Sequence, residues 1–88
     1  MFEFDSSKSA ANLEKHGIDF EEAQKLWDGP VFAYESAYTD EPRILVVGII
    51  KGRFWTAIIT NRNENIRIIS CRRSRESEIA LWQGRYKP

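Results

Sequence analysis

The spacing of hydrophobic residues changes at residues 28–30 of this chain, and that change limits the folds open to it. Before the turn signal 28–30, the apolar residues Phe20, Ala23 and Trp27 recur at three and four positions, as they do on one side of a helix. After the turn, short apolar runs separated by polar turn residues are typical of strands. A chain of 88 residues has room for one hydrophobic core. We therefore predict a single α+β domain over residues 1–88.

Two helices are predicted before this turn, because capping residues stand at the expected places. Asp5 or Ser6 can accept hydrogen bonds from the first free amides of a helix that runs to about His16. Gly17 then provides the left-handed residue at which helices often end. Asp19 caps the second helix in the same way.

The rest of the chain is predicted to form an antiparallel sheet followed by one more helix. Short connections favour antiparallel neighbours, with a turn at 39–42, a hairpin at Lys51-Gly52 and a polar loop at 61–65. The last helix is predicted over 74–86, with Ser74 as its N-cap. We expect the helices to cover one face of the sheet and to leave the other face for a ligand or partner. The four strands are predicted over 31–38, 43–50, 54–60 and 66–71.

The charges are divided between the two halves of the chain. Residues 1–42 carry ten acids and three bases, whereas residues 43–88 carry ten bases and three acids. A surface of one sign attracts a polyanion, so nucleic acid is the first partner expected for the second half. The acidic first half would suit a basic partner.

The basic half places five arginines within fourteen residues, and guanidinium groups match the geometry of phosphate. The alternative is edge-strand charge that prevents aggregation. Because side chains alternate along a strand, Arg67 and Arg73 are predicted on one side of the last strand and Arg72 on the other. The candidate phosphate-binding arginines are Arg62, Arg67, Arg72, Arg73 and Arg75.

Proton transfer has two candidates, His16 and Glu78. An imidazole suits proton transfer near neutral pH, although His16 at a helix end can also simply cap the last carbonyls. Glu78, surrounded by arginines, can orient a guanidinium or accept a proton, and it can also stabilise the first turn of its helix. Lys15 and Arg53 are further candidates for holding a phosphate.

Several function classes are not expected. One cysteine, Cys71, excludes an internal disulfide, and it is predicted to be a small buried residue. A lone Cys and a lone His make a poor zinc site, so neither a metal nor another cofactor is expected. No apolar run is long enough to span a membrane, and the N-terminus lacks the pattern of a signal peptide. A cytoplasmic protein without membrane contact is therefore predicted.

Taken together, these motifs resemble the BrnT family of toxins from residue 2 to about residue 82. The joint occurrence of the early Lys-His-Gly and the late Arg-Ile-Ile-Ser is the most specific part of this resemblance. The residues that carry it are Phe2-Glu3-Phe4-Asp5, Lys8, Asn12, Lys15-His16-Gly17, Phe20, Ala23, Gly48, Thr60-x-Arg62 and Arg67-Ile68-Ile69-Ser70-x-Arg72.

The resemblance implies a RelE/ParE-like fold, with helices packed on a four-stranded antiparallel sheet. It implies a bacterial, cytoplasmic endoribonuclease that needs no metal and stops translation. It also implies a BrnA-type antitoxin, which inactivates the toxin and carries the complex to operator DNA. For such a reaction we expect Arg62, Arg67 and Arg72 to bind the phosphate and His16 or Glu78 to transfer protons. An acidic inhibitor would dock on the arginine side, although the acidic helices could instead meet a basic part of the antitoxin.

The chain departs from the family pattern at four positions. Phe4 stands where Trp is usual and Cys71 where Ala is usual, and both changes concern packing. In the last helix Ile79 replaces an arginine and Trp82 replaces a tyrosine, which removes a guanidinium and a phenol. Two alternatives therefore stay open. One is a nucleic-acid-binding module without catalysis, and the other is a toxin on the same fold that poisons topoisomerase.

Overall fold

A five-stranded sheet is the centre of the structure, a computed structural model that describes residues 1–36 and 42–86. The strands lie in the order β1-β5-β4-β3-β2, in which β2 to β5 form an antiparallel meander and β1 runs parallel to β5. None of the described helices is long and apolar enough to cross a membrane. In chain order the elements are β1 (Phe2–Glu3), α1 (Ser6–His16), α2 (Phe20–Ala23), a 3-10 helix (Gln24–Asp28), β2 (Phe32–Ser36), β3 (Arg43–Ile50), β4 (Arg53–Arg62), β5 (Asn65–Arg73) and α3 (Glu76–Tyr86).

The α+β class is confirmed, but the predicted four-stranded antiparallel sheet is wrong in one respect. Phe2 and Glu3 pair with Ile66 and Arg67 and add a short parallel strand at the edge. This strand has only two residues, so it has no periodicity of its own and depends on a partner more than sixty residues away. The second predicted helix is also divided, because α2 has a single turn and continues as the 3-10 helix.

The N-terminal helix boundaries agree with the capping signals. Asp5, rather than Ser6, is the N-cap of α1, and its Oδ1 accepts hydrogen bonds from the amides of Ser7 and Lys8 at 2.8 and 3.2 Å. Gly17 ends α1 in the left-handed conformation, with φ of 81°. Asp19 caps α2 by accepting a hydrogen bond from the Glu22 amide at 2.8 Å. These caps place His16 at the C-terminal end of α1.

The strand connections are tighter than the sequence pattern suggests. The predicted hairpin at Lys51-Gly52 is confirmed, with both residues at positive φ. The predicted loop over 61–65 is instead a two-residue turn, Asn63-Glu64, also with positive φ. Residues 39–41 of the predicted turn lie outside the described residues.

The hydrophobic core lies between the sheet and the face of α2 and the 3-10 helix. Phe20 and Leu26 from these helices pack on Val46 and Ala57 of the central strands, and all four are buried. Gly48 allows this close approach, because a Cβ atom there would lie 3.0 Å from Leu26 Cδ2. A larger residue would push the 3-10 helix away from β3.

A β-bulge interrupts the pairing of β4 with β5. Ile58 lies opposite Ser70, whereas the next residue, Ile59, lies opposite Ile68. Ile69 is therefore the extra residue on β5. Such a bulge shifts the alternation of side chains along the strand by one position.

Because of this bulge, Arg67 and Arg72 lie on the same face of the sheet. Arg67 pairs with Thr60 and Arg72 pairs with Thr56, and these threonines are an even number of residues apart on β4. The prediction that Arg67 and Arg72 face opposite sides is wrong for this reason. Cys71, next to Arg72, points into the core on the other face.

β1 pairs with only part of the edge of β5. Further along this edge, the side chain of Asn12 forms the hydrogen bonds with the β5 backbone that a neighbouring strand would form. Its Nδ2 donates to the carbonyl of Cys71 at 2.8 Å, and its Oδ1 accepts from the Cys71 amide at 3.2 Å. The same Nδ2 donates to the carbonyl of Ile18 at 2.8 Å. The buried edge of β5 is thus satisfied, and α1 is fixed beside it.

Helix α3 packs on the face of the sheet opposite to the core, so the prediction that all helices share one face is wrong. Glu78 of α3 contacts Thr56. Because Thr56 precedes the core residue Ala57 on β4, its side chain lies on the face opposite to the core. Further along the helix, Trp82 packs edge-on against Phe54 with ring centroids 5.2 Å apart. Since α3 contacts mainly β2 and β3, it covers one part of the face that carries Arg67 and Arg72.

Candidate active site

The carboxylate of Glu78 is the centre of a buried hydrogen-bond network on the α3 face. Its Oε1 accepts from Arg72 Nη1 at 2.8 Å, from the Arg75 amide at 2.7 Å and from Thr56 Oγ1 at 3.0 Å. Its Oε2 accepts from Arg72 Nη2 at 2.8 Å and from the Tyr34 hydroxyl at 3.3 Å. Only 3% of Glu78 is exposed. The network joins β2, β4 and β5 to the first turn of α3.

This network also sets the start of α3. The helix begins at Glu76, and the side chain of Glu78 reaches back to the amide of Arg75, as in one half of a capping box. The predicted role of Ser74 as N-cap is wrong. The Ser74 hydroxyl instead lies 2.8 Å from the Thr56 hydroxyl. Because the Thr56 hydroxyl donates its hydrogen bond to Glu78, the Ser74 hydroxyl is the donor to Thr56.

Glu78 is held in its ionised form. Burial alone would raise the pKa of this carboxyl, but hydrogen bonds from Arg72, from the Arg75 amide and from Thr56 outweigh burial and bring the pKa to about 2. A carboxylate with so low a pKa is a weak proton acceptor near neutral pH. The geometry therefore fits an orienting role for Glu78 better than a role as general base.

Arg72 is fixed by this carboxylate but keeps hydrogen-bonding capacity. Glu78 occupies both terminal nitrogens, and Nη1 also donates to the carbonyl of Arg73 at 3.3 Å. A guanidinium has five N–H donors. The Nε–H and one Nη2–H thus have no partner among the described residues. These two donors lie along one edge of the guanidinium, the geometry that binds two oxygens of a phosphate.

Tyr34 brings a phenol to the same place. Burial raises the pKa of its hydroxyl, and the nearby Glu78 carboxylate raises it further, although Arg72 and Arg75 act in the opposite direction. The phenol therefore keeps its proton throughout the neutral range. Sequence reasoning missed Tyr34, which lies 44 residues before Glu78, and the only available signal was a polar aromatic residue within a strand.

A second group of basic residues lies farther along the same face. Arg67 donates to Glu3 at 3.0 Å, and it lies beside Arg62 in a cavity of about 250 Å³. Two of the predicted phosphate-binding arginines are therefore together here, while Arg72 and Arg75 are together at the Glu78 network. The residues lining the cavity are Lys8, Arg43, Thr60, Arg62, Arg67 and Ile69.

Four other predicted site residues lie elsewhere. Lys15 and His16 end α1 just before Gly17 and Ile18, and Ile18 belongs to the core on the face opposite α3. Arg53 lines a different cavity of about 400 Å³ beside Trp55, and the Arg73 guanidinium lies 5.5 Å from the centroid of the Trp55 ring. The structure does not bring these four residues together with Arg72 and Glu78.

The lone cysteine does not belong to a reactive site. Cys71 is fully buried, and burial raises the pKa of its thiol to about 12. The prediction of a small buried residue is confirmed. Over residues 1–36 and 42–86, the structure has no group of three or more His, Cys, Asp or Glu residues that could hold a metal ion.

The low pKa of Glu78 predicts a specific loss of stability in acid. A carboxyl whose pKa falls on folding from 4.5 to about 2 stabilises the folded state above pH 4.5, and this contribution is lost as the pH falls toward 2. The native chain should therefore lose more stability between these pH values than the Glu78→Gln variant does. Urea unfolding followed at several pH values measures this difference.

The matched control is Glu76→Gln, because Glu76 is exposed on the same turn of α3. Its pH dependence should follow that of the native chain. An equal pH dependence of native and Glu78→Gln proteins would contradict the proposed ionised state of Glu78.

Comparison with known proteins agrees with the geometry. A family model described as "Ribonuclease toxin, BrnT, of type II toxin-antitoxin system" matches residues 4–78, which is most of the chain. The match includes Arg72 and Glu78 and ends before Ile79 and Trp82. A search of curated proteins finds no match. The chain belongs to the BrnT family of ribonuclease toxins of type II toxin–antitoxin systems.

Proposed function

We propose that this protein is a metal-independent endoribonuclease that cleaves RNA in the bacterial cytoplasm and thereby stops translation. One observation carries the proposal. Buried Glu78 holds Arg72 by its two terminal nitrogens, so that the other edge of the guanidinium and the phenol of Tyr34 lie together on a basic face of the sheet.

Arg72 is suited to stabilise the transition state of phosphodiester cleavage. As the 2′-oxygen attacks phosphorus, negative charge grows on the non-bridging oxygens, which the Nε–H and Nη2–H donors can bind. Because Glu78 already fixes the guanidinium, little reorganisation is needed when the charge develops. Arg75, at the start of α3, adds positive charge near the same phenol.

Tyr34 is suited to protonate the leaving group. In the proposed reaction the 2′-oxygen–phosphorus bond forms and the phosphorus–5′-oxygen bond breaks. The products are a 2′,3′-cyclic phosphate and a 5′-hydroxyl. The 2′-hydroxyl proton passes to water, and the Tyr34 phenol gives its proton to the 5′-oxygen and regains one from water. Tyr34 would thus supply the phenol that Trp82 does not.

The antitoxin is proposed to be of the BrnA type and to act on the same face. An inhibitor with acidic side chains would neutralise Arg72 and Arg75 and exclude RNA. Operator DNA would then be bound by the antitoxin part of the complex. The charge of the face supports this assignment, and so does the family, whose toxins belong to type II toxin–antitoxin systems.

Replacement of Arg72 should nearly abolish cleavage. We expect the purified native chain to cleave single-stranded RNA in the presence of EDTA, and Arg72→Ala to be at least about 100-fold slower, the usual cost of losing one preorganised charge donor. Cleavage rates from labelled RNA measure this. Arg85→Ala, which removes an exposed arginine near the end of α3, is the control and should be unaffected.

Two results would contradict this assignment. Equal cleavage rates for the native and Arg72→Ala proteins would show that Arg72 does not stabilise the transition state. Strongly salt-dependent RNA binding by the native chain without any product would instead favour a binding module without catalysis.

Replacement of Tyr34 should affect only the departure of the 5′-oxygen. Tyr34→Phe should slow cleavage of ordinary RNA by about 100-fold, because a general acid typically contributes this much. RNA with sulfur in place of the bridging 5′-oxygen should be cleaved at a nearly native rate, since a thiolate leaves without protonation. Equal slowing of both substrates would show that Tyr34 acts through the fold and not as an acid.

A further inference from the structure

The cavity around Arg67 contains cations that the proposed chemistry at Arg72 does not use. Lys8 comes from α1, Arg43 from β3, Arg62 from the end of β4 and Arg67 from β5, so four elements converge on one space of about 250 Å³. No carboxylate is among its lining residues in the described part of the chain. The nearby carboxylate of Glu3 pairs with Arg67. Lys8, Arg43, Arg62 and Arg67 thus bring four cations to the lining of the cavity.

Arg43 gives independent evidence that the cavity is built for an anion. Its Nε atom is buried and has no hydrogen-bond partner among the described residues. Leaving a buried donor unsatisfied costs free energy, and most such groups in folded proteins have a partner. An oxyanion in the cavity would provide an acceptor for this N–H group.

The position of the cavity relative to Arg72 indicates which anion it suits. Thr60 lines the cavity, and Thr56 lies in the Glu78 network four residues earlier on the same strand and face. At about 3.3 Å per residue the two places are roughly 13 Å apart. The bulge at Ile69 places Arg67 on this face as well. A linear polyanion can therefore lie along the face and reach both places.

From this arrangement we infer that the cavity of Lys8, Arg43, Arg62 and Arg67 binds a second phosphate of the RNA strand that is cleaved at Arg72. The inference rests on the proposed ribonuclease function. The second phosphate would position longer RNA without taking part in bond cleavage. An acidic antitoxin segment is the competing occupant, but two cationic places in line on one face match the regular spacing of phosphates along a strand.

Two variants and two kinds of RNA test this second phosphate site. Lys8→Gln removes an exposed cation and is not expected to disturb the fold, and Arg43→Gln removes the buried Nε–H. The first readout is binding of a fluorescent 2′-O-methyl octanucleotide, which cannot be cleaved, over a series of salt concentrations. The second readout is cleavage of an RNA octanucleotide and of a dinucleotide with a single phosphodiester. Lys25→Gln, half-exposed on the 3-10 helix, is the matched control.

Each variant should lower the slope of log binding constant against log salt by about 0.7, the value for one phosphate contact on a single strand. The KM for the RNA octanucleotide should rise about tenfold, the size of one charge-assisted hydrogen bond, with kcat unchanged. The dinucleotide should be cleaved as by the native chain, because its single phosphate lies at Arg72. Lys25→Gln should change none of these values.

Unchanged salt slopes and KM values in both variants would overturn the second phosphate site, as would an equal loss with the dinucleotide. Weaker binding of an acidic antitoxin peptide with unchanged oligonucleotide binding would also overturn it and would assign the cavity to the antitoxin. If the native chain cleaves no RNA, the ribonuclease function fails by itself. The salt slopes with the uncleavable octanucleotide would still decide whether the cavity binds phosphate.

Discussion

The bidentate ion pair between Glu78 and Arg72 is the interaction on which both the architecture and the proposed chemistry depend. The carboxylate accepts five hydrogen bonds within the described part of the chain, and their donors come from three strands and the start of α3. A buried carboxylate would be costly without them, because removing a charge from water is unfavourable. With these hydrogen bonds the carboxylate fixes α3 on the sheet and leaves one edge of the Arg72 guanidinium without a partner among the described residues. The position of α3 and the proposed chemistry of Arg72 therefore both depend on the Glu78 carboxylate.

The second constraint is the β-bulge at Ile69, which decides what this face of the sheet presents. Without the extra residue, Arg67 would alternate to the side of the core and would not share a face with Arg72. With it, Cys71 points into the core while both arginines share the outer face. A single additional residue thus aligns two basic groups along a path that suits a nucleic-acid strand.

Local features were predictable from the sequence, whereas features that depend on distant pairing were not. Residues close together in the sequence determine the caps at Asp5 and Gly17 and the basic character of the second half. The α+β class and the arginine candidates could therefore be predicted. The bulge has no local signal, because Ile69 is the same residue type as Ile68 before it. Tyr34 reaches Glu78 only after the strands have paired, and the exclusion of His16 from this face likewise follows from the packing of α1. Sequence reasoning therefore found Arg72 and Glu78 but not the phenol that donates to Glu78.

The most direct test of the account is the state of cellular RNA after brief induced expression of the native chain and of Arg72→Ala in bacteria. Growth and the chemistry of RNA ends would be followed in the same cultures. For the native chain we expect growth arrest with RNA fragments that end in 2′,3′-cyclic phosphate, and for the variant neither effect. Growth arrest with intact RNA would contradict the account and favour a toxin that acts on topoisomerase.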